Sequence, residues 1–318
     1  MTGIGLVVIS SVGYGSGSVL AGPVYATGVD WLTLVQWRFL IGATLAWIWV
    51  LPSADRRDAL LRMPRRQVGV ALGLGALFTG NAGTYYAGLE TVPAALAGVL
   101  VYTYPVLVAL LSLRFATRLP GRRPWIALVL AVAGSALALG GIDVRAAPPI
   151  SGLLLIWAST LFYSAWIILS ARLSGERRDR LGSEAPEGSQ PATDAAVTTA
   201  LMMSATATVY AVGGTFVGEP LDPGRVPADA WPLVVAVGAV ASFLAIQTFY
   251  AGARRIGAAK AALLSTVEPP VIVVLSFLLL HQTLAPIQLA GAALILIAVI
   301  VAETSPRPRG APEPATPL

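Results

Sequence analysis

The chain has 318 residues, of which 56% are hydrophobic and only 12% charged, with a mean hydropathy of +0.75. A soluble domain carries about 25% charged residues, so this charge cannot cover a globule and the solvent for most of the chain is lipid. There is no cysteine and one histidine, His281, which excludes disulfides, a thiol nucleophile and thiolate or multi-histidine metal sites.

A bilayer core about 30 Å thick needs about 20 apolar residues per helix. Ten such runs follow in chain order: 3–22, 31–51, 67–89, 92–113, 124–142, 150–171, 195–217, 231–253, 257–280 and 286–303. The first opens with MTGIGLVVISSVGYG and has no basic residue ahead of its apolar stretch. It is therefore expected to be a span rather than a cleaved signal peptide. The connections are short, except for a polar Gly-, Pro- and Ser-rich linker over 173–194. The proline-rich tail 305–318 is expected to be disordered.

The basic residues orient these runs. Of the 21 Lys and Arg, 18 lie in the loops 52–66 and 114–123, the linker region, the 254–260 connection and the tail. The alternate loops hold only Arg145 and Arg225, and Arg38 lies inside a run. This asymmetry predicts ten spans with both termini in the cytoplasm. It also accounts for the net charge of +5 without nucleic acid as a partner.

Residues 84–113 align without gaps on residues 248–277, with 11 of 30 positions identical, among them Tyr86/Tyr250, Gly88/Gly252 and Pro105/Pro269. The copies lie five spans apart, an odd number, so they cross in opposite directions. An inverted repeat places a transporter's substrate site at the repeat interface near the midplane. The expected fold is an all-α integral membrane protein of ten transmembrane helices in two inverted five-helix repeats. The first repeat covers 1–149, and the second covers 150–304 with the cytoplasmic linker inside it.

Two ionisable residues lie within spans, Arg38 and Glu268. Each costs about 2.5–3.5 kcal/mol to insert, which makes a functional role the default. For Glu268 that role is a proton or cation site or a contact for a polar substrate group; the alternative is a structural salt bridge. Arg38 sits toward the end of its span and could also snorkel to the interface. Pro269 and Pro270 have no N–H for the carbonyls of Ser265 and Thr266, so a kink with free acceptors is expected beside Glu268. Pro105 is the matching kink in the first repeat.

Weaker candidates for the same site are Asn81, Tyr85, Tyr104, Tyr163, Trp166 and Gln247, polar groups that need partners in lipid. Each could equally be an interhelical hydrogen bond. Tyr14, Tyr102 and Tyr250 belong to the same class. The glycines Gly13, Gly15, Gly17, Gly69, Gly73, Gly75, Gly80 and Gly83 are expected to let helices approach closely. GYGSGS lacks the last glycine of a dinucleotide fingerprint, and no Walker A or HExxH sequence is present. Neither a cofactor nor a metal is expected.

With ten spans in inverted repeats, Arg38-Phe39 in the second span and LLSTVEPP in the ninth, the chain resembles the EamA-type branch of the drug/metabolite transporter superfamily over about residues 3–303. The resemblance implies that spans 1–4 and 6–9 surround a cavity, with 5 and 10 peripheral. It further implies movement of small metabolites, often efflux of amino acids or drug-like compounds, by alternating access. Family members often carry Gly-Glu after spans four and nine. Here those positions read Thr117-Arg118 and His281-Gln282.

The resulting expectation is a secondary transporter of the bacterial inner membrane rather than an enzyme. It would export amino acids, amines or drug-like compounds as a monomer or homodimer. Protonation of Glu268 would couple transport to the proton gradient; an uncoupled facilitator is the alternative. An intramembrane lipid-modifying enzyme would need clustered His, Asp or Glu at a membrane face, and the sequence offers none.

Overall fold

The computed structural model describes residues 2–92, 97, 101, 104, 107, 122–138, 149–173, 194–257, 260–261, 264–280 and 286–303. Among these residues the fold is helical throughout, without strands. The helices are α1 (Gly3–Ala26), α2 (Trp31–Val50), α3 (Ala54–Leu61), α4 (Arg65–Leu89) and α5 (Arg123–Ala138). They continue with α6 (Ile150–Leu173), α7 (Ala195–Phe216), α8 (Trp231–Ile256), α9 (Glu268–Leu280) and α10 (Pro286–Glu303). Residues 97, 101, 104 and 107 are also helical. Among the described residues five helices are long and apolar enough to cross a bilayer: α1, α2, α6, α7 and α8. Shorter apolar stretches lie in α5, α9 and α10.

Side-chain caps start several helices. Thr2 Oγ1 accepts the Gly5 N–H, and Asp194 Oδ1 accepts those of Ala196 and Val197 at 2.8 and 3.0 Å. Each satisfies N–H groups that have no partner within the helix. Gly28, with φ of +89°, makes the turn from α1 to α2, and Gly257, with φ of +88°, ends α8. Both conformations favour a residue without Cβ.

The sequence reading of 52–66 as a plain loop is corrected by α3. Its Ala59 and Leu60, with Met63 beyond it, pack on the core, while Arg57 and Arg62 face outward. Eight residues are too few to show a clear period against a loop's polarity. Arg62 pairs with Asp58 at 3.2 Å, and the Arg56 guanidinium lies over the Trp49 ring at 4.4 Å. This Arg-rich end of the bundle also holds Gly3 against Arg255 and Ile256.

At the opposite end, Asp30 caps α2 by accepting the Thr33 N–H and hydroxyl at 2.8 and 2.7 Å. Arg225, on the turn Pro223–Arg225 before α8, donates to Asp30 at 3.1 Å and pairs with Glu219. Glu90, at the end of α4, accepts the Trp31 N–H at 2.9 Å. Partial burial acts to raise the Asp30 pKa, but the Thr33 hydrogen bonds and the Arg225 charge outweigh it and hold the carboxyl below the usual aspartate range.

α1 packs on α8, α4 on α6, α2 on α7, and α5 on α10. One large cluster joins residues of α1, α2, α4, α6, α7 and α8. α5 and α10 form a separate one around Ala127, Leu128, Ala131 and Ala298. Close approaches depend on glycine. A Cβ at Gly13 would stand 2.9 Å from Ala245 Cβ, and one at Gly17 would overlap Ala241. Gly75 likewise sits against the Met202 carbonyl of α7. Gly69 and Gly73, expected in helix contacts, have nothing within 4 Å among the described residues. Their side of α4 lies away from its described neighbours.

α8 is not regular. Val237–Leu244 is π-helical, and here α2 presses closest: a Cβ on Gly238 would meet Ile41 at 2.8 Å and the Arg38 carbonyl at 3.1 Å. A π-segment widens the turn and occurs mostly at functional sites.

Candidate functional site

Residues of α1, α2, α4, α6 and α9, together with Val101 and Tyr104, enclose a cavity of about 630 Å³ including its open mouth. Six of the eight polar residues expected at a site line it: Glu268, Arg38, Asn81, Tyr85, Tyr104 and Tyr163.

Arg38 is 2% exposed. Its Nε donates to Ser242 Oγ at 2.8 Å and its Nη2 to the Ala241 carbonyl at 3.3 Å, both in the π-segment. The guanidinium lies 4.6 Å from the centre of the Tyr86 ring and 4.9 Å from that of Phe39. Snorkelling is therefore corrected: the side chain turns inward, where a hydroxyl, a carbonyl and two π-faces replace the water that the interface would offer. An arginine has five N–H donors, and these two bonds use two of them.

Glu268 opens α9 and is reached through the 3-10 turn Ser265–Val267. The backbone break thus lies just ahead of Pro269 and Pro270, which occupy the first turn of α9. There their missing N–H groups cost nothing, because first-turn N–H groups have no helical partner. The Ser265 carbonyl, expected to be free, accepts the Glu268 N–H. α1 crosses at this level: a Cβ on Gly15 would lie 3.5 Å from the Glu268 carbonyl oxygen. Pro105, Tyr102, Thr117, Arg118, His281 and Gln282 lie outside the described residues.

Asn81 Nδ2 donates to the Ser159 carbonyl and Oγ at 3.1 and 3.0 Å, joining α4 to α6. The Tyr104 and Tyr163 rings meet edge-on at 4.8 Å between centres. Trp166 and Gln247 do not line the cavity. Trp166 lies one turn past Tyr163, is fully buried, and packs on Phe78 and Phe249 at 5.1 and 5.4 Å. Along α6 and α8, Trp166 and Phe249 lie toward the ends that run to the Arg-rich side. Gln247 is half-buried on α8.

Sequence reasoning missed Ser18, Phe78, Ala82, Tyr86, Val101 and Ser159 as lining residues, and it ranked Tyr14 only among the weaker signals. Tyr14 and Ser18 are four apart, as are Phe78 and Ala82, and Ala82 and Tyr86; i,i+4 neighbours share a helix face. Extending the Asn81–Tyr85 face of α4 by its neighbours would have found the second set. Among the described residues no three His, Cys, Asp or Glu side chains come together as metal ligands.

The comparisons with known proteins agree with this architecture. The EamA-like transporter family matches residues 1–140 and 188–304, most of the chain. The chain belongs to the EamA-like transporter family. This places it in the drug/metabolite transporter superfamily as a multi-pass membrane protein of transporter type. Among solved structures 28 chains match. One crystal structure, 22% identical, covers 94% of this chain and 96% of its own, with a TM-score of 0.71. At that identity it speaks for the fold alone. None of the curated proteins compared matches. For an EamA-like transporter, a cavity that gathers the Arg38 and Glu268 charges from two apolar helices is the place to look for the transported molecule.

Proposed function

We propose that the chain is a secondary exporter of small metabolites with an amino or zwitterionic head group and an apolar body. The observation that carries this reading is that Arg38 and Glu268, the two charges placed within spans, face one aromatic-walled cavity. A guanidinium suits a carboxylate, a carboxylate suits an ammonium, and aromatic faces suit both cations and apolar bodies. Protonation of Glu268 supplies coupling to the proton gradient, since a carboxylate at that depth is costly unless paired or neutral.

The exchange of helix partners supports two inverted five-span halves in a ten-span bundle. Renaming each span by its counterpart five spans away turns the α1–α8 pair into the α4–α6 pair and leaves α2–α7 and α5–α10 unchanged. The cavity draws on both halves. Alternating access then means opening the Trp166–Phe249 side while the opposite end closes. The Arg distribution supports cytoplasmic termini in a bacterial inner membrane.

The test is uptake of a labelled library of amino acids and amines into inside-out vesicles, with and without an imposed proton gradient. Gradient-driven uptake of one class is expected, and Glu268→Gln should remove the gradient dependence. Uptake by the variant that still follows the gradient would rule out coupling through Glu268. Gradient-independent equilibration by the wild type would mark an uncoupled facilitator.

A further inference from the structure

We propose that Tyr14 determines head-group specificity, its phenol hydroxyl hydrogen-bonding the amino or zwitterionic head group of the transported molecule between Arg38 and Glu268; this rests on the reading of the cavity just given. Seven buried side-chain polar atoms lack a hydrogen-bond partner among the described residues, and Tyr14 Oη is the one that belongs to a residue lining the cavity. Other lining groups are engaged within the wall: Arg38 with Ser242, Asn81 with Ser159, the Ser18 hydroxyl with the Tyr14 carbonyl, and the Tyr86 ring with the Arg38 guanidinium. A hydroxyl shielded from solvent without a partner is unfavourable unless something entering the cavity supplies one. Tyr14 lines the same cavity as Arg38, Glu268 and Tyr86, the charges that would hold a head group and the ring beside them.

α1 holds the phenol in register. Gly13 and Gly17 press against α8 at Ala245 and Ala241, and Gly15 presses against Val271, Ile272 and the Glu268 carbonyl on α9. Tyr14 and Ser18 occupy the remaining side of the same two turns, facing the cavity. The glycines leave α1 little room to roll, so the hydroxyl is preset rather than recruited. A phenol both donates and accepts. It can therefore accept from an ammonium shared with Glu268 or donate to a carboxylate shared with Arg38.

The experiment uses full-length purified protein, wild type and Tyr14→Phe. The probes are phenethylamine, L-phenylalanine and n-propylbenzene, which share an apolar body and differ in head group. Binding is read by titration and by the shift each probe gives in Tm. The proposal expects wild type to bind phenethylamine or L-phenylalanine. Tyr14→Phe should weaken that binding by about tenfold or more, the scale of a hydrogen bond to a charged group. Binding of n-propylbenzene should not change, and the ligand-free Tm should not fall, because the lost hydroxyl has no partner in the wall. Equal affinity of both proteins for the head-group probes overturns the assignment. So does an equal loss for n-propylbenzene, or a lower ligand-free Tm with affinity unchanged. If wild type binds neither head-group probe, the reading of the cavity itself fails, and the assignment falls with it.

Discussion

The α5–α10 pair and the helices around the cavity are both apolar, yet they are held in different ways. α5 and α10 meet through small side chains: a Cβ on Gly134 would lie 2.9 Å from the Gly291 carbonyl and 2.8 Å from Ile295. Among the described residues their shared apolar cluster is Ala127, Leu128, Ala131 and Ala298. The cavity helices also close on glycines, but they add polar bonds over long sequence distances: Arg38 to Ser242, Asn81 to Ser159, the Tyr210 hydroxyl to the Thr79 carbonyl at 2.8 Å, and Trp47 Nε1 to Ser204 at 2.8 Å. Lipid offers no hydrophobic drive between helices, so association rests on close packing or on hydrogen bonds. The first kind suits a fixed flank. The second suits the moving helices of the proposed alternating access, because a polar bond broken on one side can be remade with a ligand or water.

That contrast can be broken at three places. The largest effect is expected from Arg38→Ala, which leaves Ser242 Oγ and the Ala241 carbonyl without their donor and empties a buried site. A loss of about 2–4 kcal/mol is expected, read as a lower Tm in detergent, together with loss of probe binding. Arg38→Lys should not restore binding, since a point charge cannot reproduce the guanidinium's directed donors. Gly134→Leu is expected to cost about 1–3 kcal/mol by forcing α5 from α10, while cavity binding stays at the wild-type level. If binding fell in step with stability, the flank would be part of the working bundle. The smallest effect belongs to the rim. Asp30→Asn removes the ion pair with Arg225 and weakens the cap of α2, at about 0.5–1 kcal/mol after allowance for solvent screening of a group 40% exposed. Because the folded-state pKa of Asp30 lies below its unfolded value, its stabilisation is complete above the unfolded value near pH 4. It is lost as pH falls through the folded pKa. Unfolding of the two proteins compared from pH 6 to pH 3 should converge at the acid end.

Arg38 and Glu268 could be read from the sequence because a charge inside an apolar run is expensive wherever the helix faces. Tyr86 and Ser18 could not, because an aromatic ring or a hydroxyl costs little on any face. Trp166 and Gln247 misled for the complementary reason: a polar atom within a span reads alike whether it lines a cavity or packs behind it. α3 was hidden by its shortness. The prolines of α9 marked a break, but whether they kink a helix or begin one depends on the backbone ahead of them.

Sequence alone determined the lipid environment, the approximate ends of most described helices, the membership suggested by its motifs and the two charges worth following. Each of these follows from local composition and its period, which the bilayer converts directly into helix length and cost. Tertiary structure decided that Arg38 turns inward to a π-segment two hundred residues away, that α5 and α10 stand together at the flank, and that Tyr14 faces the cavity. Those outcomes depend on how each helix is rotated about its axis. In a span apolar all round, that rotation is set by the neighbours it packs against and not by its own pattern.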